Sequence, residues 1–134
     1  MGKLSMQGKF SISISSANDF TEDFDRILSI NATNIIRKGQ VIGRQQSLYN
    51  RWIYSEAFTE DTFSSQFELF IFKLVGLSDK IQSIIKIHDT QVNIYIQSEM
   101  GQLGYIITAK TLQLLAELKL DINFHILSFG LVSN

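Results

Sequence analysis

The residues that could do chemistry in this chain are few and widely spaced. There are two histidines and no cysteine, so a thiolate nucleophile, a disulfide and a cysteine-based zinc site are all excluded. His88 stands beside Asp89, a pair that could orient an imidazole as a general base, but neighbours at a turn point in different directions. No His-x-x-x-His or Glu-x-x-His spacing occurs. We therefore expect no catalytic residue, no metal and no cofactor.

Two further patterns invite a chemical interpretation. The loop containing Gly39, Gly43 and Arg44 could bring bare backbone N–H groups close to a phosphate. It lacks the Lys-Ser/Thr ending of a phosphate-binding loop, and no helix pattern follows it at once. The serines at 11, 13 and 15 alternate without a neighbouring base, which favours a solvated strand face over a set of nucleophiles.

Charge is segregated although the net charge is only -1. One segment, residues 17–31, carries four acids against a single arginine: Asp19, Glu22, Asp23 and Asp25. The segment 35–51 carries four cations and no acid: Arg37, Lys38, Arg44 and Arg51. Either the acidic helix contacts a basic protein partner or the basic loop contacts phosphates. Alternatively, the acids favour the helix dipole and the basic loop lies against them. No nucleic-acid-binding motif accompanies the four cations, so we expect no nucleic-acid partner.

Aromatic residues and one histidine complete the candidates. Tyr95 alternates with the apolar row of its strand, and His125 alternates with Phe124 and Ile126, so both are predicted on the sheet face opposite the core. Tyr49, Trp52, Tyr54 and Tyr95 all lie on predicted strands, and on the open face such residues would form an amphipathic binding patch with Arg51, which His125 could join. Trp52 has two possible places, either in the core beneath the long helix, against Phe67 or Phe70, or on the surface.

The elements that must position these residues follow from periodicity. Phe10, Ile12 and Ile14 alternate with serines as in a half-buried strand. Asp19 and Glu22 have the spacing of a capping box before the first helix. Apolar residues from 63 to 85 predict one kinked helix or two short ones, and two glycines within 99–104 predict a hairpin to a strand over 105–108. A helix that carries Leu112, Leu115 and Leu118 and that Thr108 can cap follows, and then a strand formed by Ile122, Phe124 and Ile126. The predicted order is β-α-β-β-α-β-β-α-β.

These elements predict a two-layer α+β fold, with a largely antiparallel sheet and helices on one face. The two halves loosely echo each other, which suggests a duplicated ferredoxin-like plan. With 134 residues, 45% of them apolar, we expect a single domain over 1–134 with flexible ends at 1–8 and 130–134. No apolar stretch approaches the ~20 residues of a membrane span, and no signal-peptide core is present. We expect a cytoplasmic protein without membrane contact.

Several segments resemble a bacterial family, the DUF4279 domain of unknown function. The matching stretches are the opening strand, LSINATNIIRKGQVI, RWIYSEAF, the long amphipathic helix and TLQLLAELKLDINFHI. Within them, the family marks are Lys38-Gly39, Trp52 and Asp121. The resemblance spans about residues 9 to 127. It implies the order of elements and carries no settled activity.

The missing catalytic set, the compact size and the segregated charge favour a non-enzymatic interaction protein. The specific form we expect is an immunity protein that neutralises a bacterial toxin domain. Its contacts are expected from Asp19, Glu22, Asp23, Asp25, Arg44, Arg51, Tyr95 and His125. The alternative is a small-molecule-binding domain with a pocket between sheet and long helix or at the loop 37–49. The chain could be a monomer or a homodimer, and exposed Leu127 and Phe129 would favour pairing through the C-terminal strand edge.

Overall fold

The computed structural model describes residues 6–18, 23–59, 61–98 and 105–128. The fold is α+β, as the sequence predicts. Its elements, in chain order, are β1 (Met6–Ser16), α1 (Phe24–Leu28), β2 (Asn34–Ile36), β3 (Val41–Ile42), β4 (Gln45–Gln46), β5 (Asn50–Thr59), α2 (Phe63–Val75), α3 (Ser78–Ile85), β6 (Asp89–Ser98), α4 (Ala109–Leu118) and β7 (Asp121–Ser128).

The central strand of the sheet is β1. The sheet has five strands in the order β2-β5-β1-β6-β7, and β3 and β4 pair separately as a small hairpin. β1 runs antiparallel to both β5 and β6, and β5 runs antiparallel to β2. β7 runs parallel to β6, and because parallel neighbours need a crossover connection, α4 lies between them in the chain. β2 and β7 are the two edges of the sheet.

One face of the sheet, the inner face, carries the core. The alternation in β1 places Phe10, Ile12 and Ile14 there, each at most 1% exposed. All four helices add buried side chains to the same cluster: Phe24 and Leu28 of α1, Phe63, Phe67, Phe70, Ile71 and Leu74 of α2, Ile81 and Ile84 of α3, and Leu115 and Leu118 of α4. Each such side chain contributes roughly 1.5–3 kcal/mol by leaving water, so the helices stay on this face.

Trp52 belongs to the core, which decides between its two predicted places. It is 3% exposed, on the inner face of β5. Its ring meets the ring of Phe24 edge-on, with centroids 6.3 Å apart. The predicted contact with Phe70 is made instead by Tyr54, whose ring stacks on it at 6.1 Å.

The apolar stretch from residue 63 to 85 forms two helices, one of the two predicted outcomes. α2 ends at Val75, and Gly76 and Leu77 form a turn before α3 begins. The Leu77 N–H donates to the Leu74 carbonyl at 2.9 Å, which tightens the last turn. The break redirects the chain so that both short helices reach the same core.

The prediction of a strand over 105–108 is wrong. These residues are irregular, and the Tyr105 ring packs edge-on against Phe63 with centroids 4.9 Å apart. Thr108 has the extended backbone of an N-cap, and its Oγ1 accepts a hydrogen bond from the Thr111 N–H at 3.2 Å. Because this segment packs sideways against the core, the second half is β-α-β. The duplicated ferredoxin-like plan is absent from the described strands.

Both ends of the first helical region also differ from expectation. α1 begins only at Phe24, and its N-cap is Asp23, whose Oδ1 accepts from the Arg26 N–H at 3.3 Å. The predicted capping box at Asp19 and Glu22 lies outside the described residues. β1 begins at Met6, within the expected flexible end 1–8, while 130–134 lie outside the described residues. Within the described ranges, no helix has the length and apolar character to cross a membrane.

Candidate functional site

The face of the sheet opposite the core, called the outer face below, carries none of the described helices. Paired residues lie on the same side of a sheet, so its side chains form rows across the strands. Three of these rows each take one residue from β5, β1, β6 and β7, in that order. The first row is Ala57, Lys9, Tyr95 and His125; the second is Ser55, Ser11, Asn93 and Asn123; the third is Ile53, Ser13, Gln91 and Asp121. Tyr95 and His125 therefore lie side by side on the predicted face.

Five outer-face residues make a connected group, called the outer-face cluster. The rings of Tyr95 and His125 stack with centroids 4.5 Å apart and planes 15° apart. The Lys9 ammonium lies 5.3 Å from the centroid of the Tyr95 ring, as in a cation–π contact. His125 Nε2 lies 3.2 Å from Asn93 Oδ1, and Asn93 Nδ2 donates to Ser13 Oγ at 3.3 Å. The cluster links β1, β6 and β7.

The hydrogen bonds of the cluster orient its histidine. An amide oxygen only accepts, so the contact with Asn93 Oδ1 is a hydrogen bond in the form of His125 that carries a proton on Nε2. Asn93 is 6% exposed, whereas His125 is exposed. A buried amide thus holds an exposed ring in place, which lowers the entropy that a binding partner would have to remove.

The serine row is more enclosed than predicted. Ser11 is 1% exposed and Ser13 is 9% exposed, because larger side chains flank these small ones in the middle strand. The expectation of a solvated face is therefore wrong for these two residues. The solvent-accessible groups of the outer face are the larger side chains around them.

Two predicted acidic contact residues have partners within the fold. Asp25 Oδ1 accepts from the indole Nε1–H of Trp52 at 2.8 Å and from the Ala32 N–H at 2.9 Å. These two bonds, that of Trp52 first, hold the pKa of the Asp25 carboxyl below its ordinary value of 3.8. Asp23 caps α1. Asp19 and Glu22 lie outside the described residues.

Arg44 lies away from the cluster, on a projecting hairpin. β3 and β4 with their flanks, residues 37–49, form what we call the arm. Gly43 and Arg44 make its two-residue loop, and Gly43 has a φ of +62°, a value that glycine adopts easily in hairpin turns. Asn50 anchors the base of the arm, since its Oδ1 accepts from the Lys38 N–H at 2.8 Å. The glycines therefore serve a turn, and no helix follows them.

Arg51 shares the outer face but lies at its other end. It pairs with Ser15, which also pairs with Asp89 at the start of β6. Its Nε is buried without a hydrogen bond in the part of the chain that the structure describes. Asp89 and Asp121 add negative charge at this end, while the Tyr95 row carries Lys9 and no carboxylate. The outer face therefore has an acidic end and a basic, aromatic end.

His88 has a packing role. Its ring meets Phe24 edge-on with centroids 5.5 Å apart, at the turn before β6. Asp89 beside it is exposed and begins the strand. Among the described residues, no group of three or more His, Cys, Asp or Glu side chains could hold a metal ion.

A hollow of about 1000 Å³ opens at the basic end of the sheet, where β1 begins and β5 and β6 end. Its walls combine residues of both sheet faces with the start of α2: Gly8, Lys9, Ala57, Phe58, Thr59, Thr62, Gln66, Tyr95, Ile96, Gln97, His125 and Ile126. Gly8 permits this close packing, because a Cβ there would overlap the Tyr95 carbonyl oxygen and lie 2.8 Å from Phe58 Cζ.

Lys9 and Asn93 are the site residues that the sequence analysis missed. Both have a usable signal, since Lys9 alternates in phase with the serine row and Asn93 alternates in phase with Tyr95. The alternation of residues along a strand does not show that β1, β6 and β7 are neighbours in the sheet. That pairing alone brings the two residues to Tyr95 and His125.

Comparison with known proteins gives a family and no activity. The family model described as "Domain of unknown function (DUF4279)" matches residues 6–129. We find no match among curated proteins or among solved structures. The matched range contains all seven strands and all four helices, so it covers both the core and the outer face. The chain therefore belongs to the DUF4279 family.

Proposed function

We propose that this chain is a non-enzymatic protein-binding module whose contact surface is the outer face. Its most specific form is a small cytoplasmic immunity protein that neutralises a bacterial toxin domain. The observation that supports this proposal is the sheet face free of the described helices, on which Tyr95 and His125 stack at 4.5 Å. Tyrosine and histidine rings held in place by neighbours offer amphipathic contact area at low entropic cost.

The chemistry of this face suits a protein surface better than a reacting substrate. Around the two rings lie amides and hydroxyls that donate and accept hydrogen bonds, as in the rim of a protein interface. Asn93 contacts both Ser13 and His125, and the His125 ring that it holds is still exposed to a partner. Activating a nucleophile needs an adjacent base, and Ser13 has an amide beside it instead.

The charges suggest the sign of the partner surface. Lys9 lies at the aromatic end of the outer face, and Arg44 lies at the tip of the arm. Asp25 is engaged by Trp52. We therefore expect a partner that presents carboxylates to the Lys9 end of the outer face, and an association rate that falls by roughly tenfold between ~0.05 M and ~0.5 M salt.

The decisive experiment uses the protein encoded by the gene adjacent to that of this chain. Growth arrest by that protein and its relief by co-expression would support toxin neutralisation, and binding is measured by calorimetry. Tyr95→Ala should weaken binding by about 30-fold, the effect of losing a hot-spot residue. Phe72→Ala, which removes a 60% exposed aromatic from the helical layer, is the matched control. A neighbour that neither arrests growth nor binds would contradict the proposal.

The hollow supports a second candidate, a small-molecule-binding domain. Its 1000 Å³ would hold a metabolite-sized ligand, with Phe58 and Ile96 as apolar wall. Gln66 Oε1 is buried and has no hydrogen-bond partner among the described residues, so the N–H or O–H of a ligand could donate a hydrogen bond to it. Lys9 and His125 offer polar contacts at the rim.

A thermal-shift screen across metabolites separates this candidate from the first. A ligand of the hollow should raise the melting temperature of the native chain. It should lose this effect in Ala57→Trp, where a large side chain enters the hollow. Ala116→Trp, an equally exposed alanine on α4, is the control that should retain the shift. If no metabolite moves the melting temperature, the second candidate is rejected.

A further inference from the structure

The outermost strand of the sheet, β7, leaves apolar side chains outside the core. Phe124 and Ile126 lie in register with Ile94 and Ile96, on the inner face. Ile94 is 0% exposed and Ile96 is 2% exposed, whereas Phe124 is 48% exposed and Ile126 is 56% exposed. The described helices therefore cover β6 and leave Phe124 and Ile126 of β7 exposed. An edge strand with exposed apolar residues and unpaired backbone groups is a surface that favours pairing with another strand.

The sequence of β7 is complementary to itself when two copies run antiparallel. If Asn123 lies on the two-fold axis, Asp121 faces His125 of the second copy on the outer side. In the same register, Ile122 faces Phe124 on the inner side. Both Asp121 and His125 are exposed, so in this register polar side chains face each other on the outer side and apolar side chains face each other on the inner side. A register centred one residue further along, on Phe124, would leave the Asp121 carboxylate without a histidine.

From this complementarity we propose that β7 pairs antiparallel with β7 of a second copy of this chain. The two-fold axis is perpendicular to the sheet at Asn123, so a continuous ten-stranded sheet results. Both helical layers then lie on the same side, and Phe124 and Ile126 of the two copies fill the gap between them. The outer faces join into one surface on which the two His125 rings are near neighbours. This inference is independent of the proposed function.

The first test is the mass of the native chain in solution. Sedimentation should give twice the 15.3 kDa of the monomer at tens of micromolar. Ile126→Lys, which places a charge on the edge, should raise the dimer dissociation constant by at least about tenfold. The matched control is Leu69→Lys, because Leu69 is 68% exposed on α2, and it should remain a dimer. A native chain that stays monomeric at several hundred micromolar, or equal loss of dimer in both variants, would overturn the proposal.

The register of the pairing is tested with single cysteine substitutions. The chain has no cysteine of its own, so any disulfide must come from the introduced residue. Asn123→Cys should form a covalent dimer on mild oxidation, since its two copies meet on the axis. Phe124→Cys should cross-link far less, and Gln113→Cys on the exposed side of α4 should not cross-link. Circular dichroism of each variant confirms folding. Efficient cross-linking of Phe124→Cys alone would overturn the Asn123-centred pairing.

A charge exchange gives an independent test. Asp121→Lys removes the carboxylate that faces His125 and should weaken the dimer, as should His125→Asp, which places two acids opposite each other. The double variant restores opposite charges in the same pair and should recover most of the native affinity. Failure of the double variant to improve on either single variant would contradict the pairing.

Discussion

At the residue scale, two partly buried polar contacts should make stability depend on pH. Asp25 accepts hydrogen bonds from Trp52 and Ala32, which fastens α1 and its exit loop to β5. Tyr54 donates to Glu56 Oε2 at 2.7 Å beneath α2. The pKa of Asp25 is lowered and the pKa of Tyr54 is raised. The first should therefore affect stability in acid and the second stability in alkali.

Replacing Asp25 should change how steeply the melting temperature falls at low pH. Asp25→Asn keeps an oxygen acceptor for Trp52, while Asp25→Ala removes it, so the alanine variant should melt at the lower temperature. Because the folded pKa is lowered below 3.8, the stabilisation is complete above that pH and disappears as pH falls through the folded pKa. Melting temperatures measured between about pH 2 and pH 7 should fall less steeply for Asp25→Asn than for the native chain. Identical acid slopes would contradict this role.

Tyr54 gives the alkaline counterpart. Burial first, and then the hydrogen bond and charge of Glu56, raise the pKa of Tyr54 to about 12. In the folded chain the Tyr54 phenol therefore stays protonated to a higher pH than in the unfolded chain. Its contribution to stability is complete below pH 10 and is lost as pH rises toward 12. Tyr54→Phe should therefore show a flatter decline of melting temperature in that window. Tyr49→Phe, at the 49% exposed tyrosine of the arm, should decline like the native chain.

At the element scale, the close packing of three strands depends on the missing side chain of Gly8. A Cβ there overlaps the Tyr95 carbonyl oxygen, which belongs to the backbone of β6 and cannot rotate away. Gly8→Ala should lower the free energy of unfolding by more than about 3 kcal/mol, because the strands must separate locally. At Gly76 a Cβ meets only the Lys73 carbonyl oxygen, at 3.3 Å. Gly76→Ala should change stability by less than about 1 kcal/mol in urea denaturation.

Element types follow from the sequence where periodicity is long. The Phe10–Ile14 alternation correctly assigns inner and outer residues, and the apolar stripe after Phe63 correctly predicts helices that break at Gly76. The error at 105–108 shows the limit of this reasoning. In the segment 105–108, Tyr105 and Ile107 alternate with their neighbours as in a strand. The packing of Tyr105 against Phe63 nevertheless decides the conformation of the segment.

At the scale of the whole molecule, the candidate site depends on pairing between distant segments. Tyr95 and His125 were assigned to the outer face from alternation, but their stacking requires β6 and β7 to be parallel neighbours. Likewise, the bond from Trp52 to Asp25 depends on where α1 lies over the sheet. Single-chain periodicity contains no information on strand order, so these contacts could not be predicted.

A single core also predicts a single unfolding transition. All four helices and the four longest strands share one cluster of buried residues or its immediate surroundings, and Trp52 lies inside it. We expect Trp52 fluorescence and far-ultraviolet circular dichroism to report the same midpoint in urea. A fluorescence transition at clearly lower urea would mean that the α1–β5 region opens before the remainder of the core.

The central position of β1 has a consequence for how the chain is made. Phe10 pairs with Glu56 on one side and Ile94 on the other, so both partners leave the ribosome long after it does. Until then, the nascent segment must remain soluble with three large apolar side chains and no neighbours. We expect the intervening serines to reduce association of this segment in that interval, because they interrupt its apolar residues. We expect formation of the sheet to be slow, since β1 can pair with β5 first and with β6 only after residue 98 has been made.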